Sequence, residues 1–79
     1  MTARLEGSEA ALAGAPHLTR RETDVLAQVA LGCSYAETGK RLSLKAVTVK
    51  SYMQSIIVKL DVHSRAEAVV AARRLRLLP

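Results

Sequence analysis

The chain contains few aromatic residues and little cysteine. Its 79 residues include no Phe and no Trp, and the aromatic content of 3% comes from two Tyr. Proteins that bind single-stranded nucleic acid usually stack its bases on aromatic side chains, so this class of function is disfavoured. The single cysteine, Cys33, supplies neither a disulfide framework nor a zinc site, and we expect it to be a small packed side chain.

Long apolar runs are also absent. The most apolar region, near the C-terminus, is interrupted by Arg73, Arg74 and Arg76, and the N-terminus lacks the basic and apolar blocks of a signal peptide. We therefore expect a cytoplasmic protein that does not enter a membrane. The sequence shows no nucleophile beside an orienting base and no set of metal ligands, so it predicts neither an enzyme nor a cofactor.

Positive charge is concentrated in one part of the chain. The formal net charge is +5, but residues 1–17 carry one Arg against two Glu. Residues 44–65 carry Lys45, Lys50, Lys59 and Arg65 against a single acid, Asp61. A local positive field favours a polyanionic partner. Since single-stranded nucleic acid is disfavoured, the sequence indicates double-stranded DNA.

The chain divides into a leader and a helical domain. Residues 1–17 are rich in Ala, Gly and small polar residues and are predicted to be a flexible leader, while residues 18–79 form the domain. From Leu18 onward the apolar residues recur with a helical period and never alternate as in a strand, which predicts an all-α fold. The hydrophobic core of so short a domain is small, so a partner subunit would add stability.

Helix starts are marked by Ser or Thr followed three residues later by Glu, which is the pattern of a capping box. It occurs at Thr19 and Glu22, at Ser34 and Glu37, and at Ser64 and Glu67. Four helices are predicted, at about residues 20–31, 35–42, 46–60 and 65–77. Only a tight turn fits between the second and the third, which predicts a helix-turn-helix within a four-helix, bundle-like domain.

The third predicted helix has two different faces. One carries the apolar stripe of a helix that packs on a core, formed by Val49, Met53, Ile56 and Leu60. The other carries short polar groups, small apolar groups and a cation, but no carboxylate: Val47, Lys50, Ser51, Gln54, Ser55 and Val58. A solvated face usually mixes both charge signs. Because these residue types suit base edges and thymine methyl groups, we interpret this face as a recognition surface for the DNA major groove.

The fourth predicted helix is apolar on two sides. We expect one stripe to pack against the domain, and it consists of Ala66, Val69, Val70 and Leu77. The other is made mostly of small residues that allow another helix to approach closely: Ala68, Ala71, Ala72 and Leu75. We expect this second stripe to be a homodimer interface, against the alternative that the alanines only reflect helix propensity.

Short motifs occur in a fixed order from residue 18 to about residue 77. They are Leu18-Thr19-x-Arg21-Glu22, Val25-Leu26, Ala30-x-Gly32, Lys40-Arg41-Leu42, Thr48-Val49-Lys50, Lys59-Leu60-x-Val62 and Ser64-Arg65-x-Glu67-Ala68. Together they resemble the LuxR/NarL-type helix-turn-helix domain, also called the GerE type. The resemblance implies a four-helix DNA-binding domain of bacterial transcription regulators. In such a domain the third helix reads the major groove and the fourth forms the dimer contact.

The resemblance also implies roles for single residues of the third helix. Thr48 matches a threonine whose hydroxyl suits a phosphate, and Lys50 matches a lysine that reaches the groove. Ser51 and Gln54 occupy positions from which members of the family contact bases, and a glutamine can pair with adenine through two hydrogen bonds.

Three basic residues are predicted to contact phosphates. Lys59 and Arg65 match basic positions near the DNA backbone, which would position the protein without reading sequence. Lys45 stands where the family usually has the Ser or Thr that caps the third helix. We expect about 1 kcal/mol of local stability to be missing there. If Lys45 points at a phosphate, it would increase DNA affinity while the helix lacks this stabilising cap.

A further departure from the family lies in the second helix. Thr38 and Gly39 stand where the family normally has Ile and Ala. Because glycine disfavours a helix by about 1 kcal/mol relative to alanine, we expect this helix to be short or mobile. Thr38→Ile combined with Gly39→Ala is therefore predicted to raise the melting temperature.

The sequence thus predicts a sequence-specific, double-stranded DNA-binding transcription regulator that acts as a homodimer and associates with the nucleoid. One alternative is a domain of the same fold that binds a sigma factor, RNA polymerase or another regulator. Salt dependence distinguishes the two, because binding through several phosphates weakens steeply as salt rises. Another alternative is an architectural DNA-binding protein without sequence preference, for which Gln54→Ala would leave discrimination between promoters unchanged.

Overall fold

The computed structural model describes residues 16–78, and this part of the chain contains four helices and no strand. The helices are α1 (Arg20–Ala30), α2 (Tyr35–Leu42), α3 (Ala46–Lys59) and α4 (Arg65–Arg74). The predicted all-α, helix-turn-helix architecture is confirmed. The predicted leader, residues 1–17, lies almost entirely outside the described residues.

Two of the three predicted capping boxes are complete. In the first, the Thr19 hydroxyl accepts the Glu22 N–H at 3.1 Å, and the Glu22 carboxylate accepts the Thr19 N–H at 2.8 Å. Ser34 and Glu37 repeat this exchange at the start of α2. The third box is only half formed, because Glu67 accepts the N–H of His63 at 2.9 Å instead of that of Ser64. Local sequence pattern therefore places all three helix starts correctly.

Each helix is followed, one or two residues after its end, by a residue with a left-handed backbone. These residues are Gly32, Ser43, Asp61 and Arg76, with φ of 96°, 59°, 55° and 57°. The reversal lets the following N–H groups reach back to carbonyls of the last turn, as Leu77 does to Ala72 at 2.8 Å. Helix α4 consequently ends at Arg74 rather than near residue 77. Only the first of the four reversals uses glycine.

The core forms around the apolar stripe of α3. Val49, Met53 and Ile56 are completely buried and pack with Val25 and Leu26 of α1. The prediction that this stripe docks on a core is confirmed. The same helix can therefore present only its opposite face to a partner.

The turn between α2 and α3 depends on a close approach of two backbones. Gly39 is buried, and a Cβ built on it would clash with the carbonyl oxygen of Leu44. The Leu44 N–H donates to the Gly39 carbonyl at 2.8 Å, which holds the turn closed. The Gly39→Ala part of the expected stabilisation is therefore wrong, because it weighed helix propensity and not this contact, while the Thr38→Ile part stays a prediction. Thr38 beside it is fully buried, which confirms that α2 packs against the core.

Helix α4 packs with the side that we had assigned to a dimer. Ala68 and Ala72 are completely buried in the core of their own domain, so they cannot form a subunit interface. Their small side chains let α4 approach the other helices closely. The spacing of apolar residues along α4 could not show which of its two apolar sides packs against the core. Ala71 is half-buried and Leu75 is exposed. The outward apolar side of α4 instead contains Ala66 and Val70, which we had expected to face inward.

None of the helices α1 to α4 is long and apolar enough to cross a bilayer.

Candidate nucleic-acid interface

The outward face of α3 exposes the residues that were predicted to meet bases. Lys50, Ser51 and Gln54 are exposed, and Val47 is 66% exposed near the start of the helix. No acidic residue occurs in α3. This face therefore combines hydrogen-bonding groups, a cation and an apolar contact without a group that phosphates would repel.

The N-terminus of α3 has no side-chain cap. Lys45 occupies the N-cap position with φ −74° and ψ 150°, and its side chain makes no capping hydrogen bond, as its residue type predicts. Its side chain is exposed. The unpaired N–H groups of a helix start carry partial positive charge, and a cation beside them adds to it. This end of α3 therefore favours an anion such as a phosphate.

Thr48 is less accessible than the residues around it. It is half-buried and lines a shallow cleft between the start of α1 and the face of α3, together with Thr19, Ser51 and Tyr52. Thr48 therefore adjoins Ser51 of the exposed face.

Glu22 joins the start of α1 to the C-terminal half of α3. Its side chain is almost completely buried, and its two carboxylate oxygens accept three hydrogen bonds of 2.8 Å. One oxygen accepts the Thr19 N–H and the Lys59 ammonium, and the other accepts the Ser55 hydroxyl. The buried charge is thus both paired and hydrogen-bonded, which a carboxylate in a protein interior requires.

The pKa of Glu22 follows from these contacts. Burial by itself would raise the pKa of this carboxyl group, but the hydrogen bonds from Lys59, from the Thr19 backbone and from Ser55 outweigh that effect. Together with the charge of Lys59 they lower the pKa from 4.5 to about 2. Glu22 is therefore ionised throughout the physiological range, and Lys59 stays paired with it.

Ser55 and Lys59 are not available in the way that the sequence suggested. Both were predicted to contact DNA, but the structure directs the Ser55 hydroxyl and the Lys59 ammonium toward Glu22. Sequence reasoning identified Glu22 only as a capping residue and missed this second role. The available signal was that Ser55 and Lys59 lie one helical turn apart on α3, so that a single acid from another helix can bind both.

Arg65, the last of the predicted phosphate contacts, is the first residue of α4. Its side chain is exposed, and its guanidinium lies 5.1 Å from the centre of the Tyr35 ring in α2. This distance is that of a cation–π interaction, which orients the guanidinium while leaving its N–H groups able to donate.

A second surface lies on α4. An open groove of about 550 Å³ runs along its outward side, and it is lined by Val62, Ala66, Glu67, Val70, Ala71, Arg74 and Leu75. Val70 is 51% exposed and Leu75 is 44% exposed at this groove. Of the four residues predicted for a dimer interface, only Ala71 and Leu75 belong to it.

The tight turn between α2 and α3, with the face of α3 left exposed, defines the described part of the chain as a helix-turn-helix domain of the DNA-binding class. Residues 16–72 match the family described as bacterial regulatory proteins, luxR family. The chain belongs to this family.

Three full-length regulators show the extent of the similarity. The chain is 52% identical over 62 residues to the HTH-type transcriptional activator RamA of Corynebacterium glutamicum, covering 78% of this chain and 22% of RamA. It is 40% identical over 65 residues to the transcriptional regulatory protein LiaR of Bacillus subtilis, covering 80% and 31%. It is 42% identical over 64 residues to the probable transcriptional regulatory protein NarL of Mycobacterium tuberculosis, covering 81% and 30%. The chain spans less than a third of the length of these relatives.

Proposed function

We propose that the chain is a transcription regulator that binds double-stranded DNA sequence-specifically, with α3 in the major groove. The observation that carries this proposal is the outward face of α3, which exposes Lys50, Ser51 and Gln54 in a helix without acids. The width of the major groove admits an α-helix, and the phosphates that border it would repel a carboxylate. This role places the protein in the cytoplasm, on the nucleoid.

Base reading falls to the exposed residues of this face. Gln54 can donate to and accept from one adenine, and the Ser51 hydroxyl can bond to several base edges. Val47 can contact a thymine methyl group, because two thirds of the residue is exposed. Sequence preference should therefore depend on Gln54 more than on any other residue of the face.

Phosphate contacts surround the reading residues. Lys45 and the start of α3 would attract one phosphate, and Thr48 and the exposed Arg65 offer further donors. Lys50 adds a charge from the exposed face itself. These groups would set the position of α3 in the groove and would supply most of the affinity that is independent of sequence.

The proposal is tested by salt titration with short duplexes, one of mixed sequence and one enriched from a random pool by the protein. Wild-type affinity for both should fall steeply between low and physiological salt. Lys50→Gln should weaken both duplexes and flatten the slope of log K against log salt by up to about 0.9. Gln54→Ala should reduce the preference for the enriched duplex and leave affinity for the mixed duplex nearly unchanged.

A matched control is available on α4. Arg73→Gln removes the same charge from an exposed residue that lies outside the recognition face, so its salt slope should match that of the wild type. Binding that hardly responds to salt would contradict the proposal. So would a Gln54→Ala variant that discriminates as well as the wild type.

We further propose that the chain forms a homodimer through the groove on α4. Small and branched apolar residues on an exposed helix suit a second copy of the same helix, and Glu67 and Arg74 at the groove offer opposite charges to a symmetric partner. Val70→Glu should give a monomer in sedimentation, because it buries a charge at the centre of this contact. Arg73→Glu, outside the groove, should leave the mass unchanged, and an unchanged mass of the Val70→Glu variant would contradict this assignment.

Binding to a protein such as RNA polymerase or another regulator is the second candidate function. It is favoured by Val58, which is 78% exposed on α3 next to the tethered Lys59 and is not part of the α4 groove. A complex held by such an apolar contact would respond weakly to salt, and Val58→Ser would weaken it without changing the DNA salt slope.

A further inference from the structure

The number of charges that α3 can offer to DNA is smaller than its sequence suggests. The Lys59 ammonium lies 2.8 Å from the Glu22 carboxylate, and Ser55 donates to the same group at 2.8 Å. Only 37% of the Lys59 side chain is exposed. Ser55 and Lys59 are therefore committed to an internal contact, while Lys50, Ser51 and Gln54 are open to a partner.

The charge of Lys59 is already balanced by Glu22, so Lys59 offers little net positive charge to a phosphate. If the ammonium moved to a phosphate, Glu22 would keep a charge at a position that is only 4% exposed, without its cationic partner. A buried carboxylate that loses its partner is strongly disfavoured. A phosphate in solvent, by contrast, can exchange one cation for another at little cost. The pair with Glu22 should therefore persist in the complex.

We propose that Glu22 is a positioning residue that limits how many phosphates the domain contacts, by holding Lys59 and Ser55 away from the DNA. The inference rests on the DNA-binding function proposed above and states which lysines of α3 contact phosphates. Glu22 itself is only 4% exposed, which leaves little of it for a base to reach. Its effect on binding is indirect, through the donors that it retains.

The test compares salt slopes of four proteins on one short duplex of mixed sequence: the wild type, Glu22→Gln, Lys59→Gln and the double variant. Glu22→Gln keeps the shape of the side chain and releases Lys59, so the slope should steepen by about 0.9 and affinity at 0.1 M salt should rise by up to about eightfold. Adding Lys59→Gln should return the slope to the wild-type value. Lys59→Gln alone should not flatten it.

These results separate a positioning role from a merely structural one. Loss of a structural contact would weaken binding or leave the slope as it was, whereas release of a held cation makes the slope steeper. If wild-type affinity falls steeply with salt but the salt slope of Glu22→Gln is unchanged or flatter, the inference about Glu22 is overturned and the proposed DNA-binding function still stands. Wild-type binding without salt dependence would refute the proposed function, and the inference with it.

A measurement on the wild type makes the test independent of how the variants fold. In the complex with the same duplex, nuclear magnetic resonance of the lysine ammonium groups should show coupling to DNA phosphorus at Lys50 but not at Lys59. Coupling to phosphorus at Lys59 would overturn the inference, even if Glu22→Gln failed to fold.

Discussion

The two halves of α3 are held in the domain by different means. The N-terminal half begins at Lys45 without a side-chain cap and is positioned by the contact between the backbones of Gly39 and Leu44. The C-terminal half is fixed by side chains, through the bonds of Ser55 and Lys59 to Glu22. Where backbone atoms position the helix, its side chains remain open to solvent. In the C-terminal half, Ser55 and Lys59 are engaged with Glu22, while Gln54 and Val58 remain exposed.

This difference matches what a recognition helix needs. In helix-turn-helix proteins the residues near the N-terminus of the second helix of the motif contact base edges. The N-terminal half of α3 exposes Val47, Lys50 and Ser51, and Gln54 is exposed one turn beyond Lys50. Three predictions would break or sharpen this comparison, and they follow in order of expected size.

Acid should weaken the C-terminal attachment most. A carboxyl group whose pKa is lowered by folding stabilises the protein above its unfolded pKa, here 4.5, and this contribution is lost as pH falls through the folded pKa of about 2. Allowing for solvent screening at the partly exposed Lys59, we expect a loss of about 2–3 kcal/mol. The measurement is the difference in the free energy of unfolding between wild type and Glu22→Gln.

That difference should be constant above about pH 5.5 and should shrink steadily between pH 4.5 and pH 2. The variant serves as the control, because both proteins share every other titrating group. A difference that does not change with pH would show that Glu22 is not held as a paired carboxylate.

Gly39→Ala should disturb the N-terminal attachment. The added methyl group would meet the Leu44 carbonyl oxygen, and we expect the free energy of unfolding in urea to fall by about 2 kcal/mol. DNA affinity should fall with it, because the start of α3 must move. Lys40→Ala, at the neighbouring exposed residue, is the matched control and should change stability by less than about 0.5 kcal/mol. A neutral Gly39→Ala variant would mean that the turn adapts without this contact.

Lys45→Ser should have the smallest effect and should act in two directions. A serine at this N-cap would accept a backbone N–H of the first turn and add about 1 kcal/mol to the free energy of unfolding. The same change removes a cation, so the salt slope for DNA should flatten by up to about 0.9. Lys45→Gln, which removes the charge without adding a favoured cap, separates the two effects. If both variants keep the wild-type slope, Lys45 does not contact phosphate.

The parts of the fold that depend on local sequence were predicted well. Thr19, Ser34 and Ser64 marked the helix starts because capping involves residues only three positions apart. The buried stripe of α3 was recognisable because a helical period reports one side of one helix. Both signals are contained in a short segment, so they need no knowledge of what packs against it.

Features that depend on contacts between distant segments were not predictable in this way. Ala68 and Ala72 were assigned to the wrong side of α4, because both sides are apolar and only the packing of the other helices distinguishes them. The link from Glu22 to Lys59 joins residues 37 positions apart, and no periodicity reports it. The left-handed residues Asp61 and Arg76 were also missed, since neither is the glycine that usually signals such an ending.

The contact of Gly39 with the carbonyl of Leu44 has a consequence for how binding preferences can change. Because main-chain atoms set the angle between α2 and α3, replacing the outward side chains of α3 need not tilt the helix. New operators could then be acquired by exchanging a few surface groups on an unchanged support. Substitution would be least tolerated at Gly39 itself.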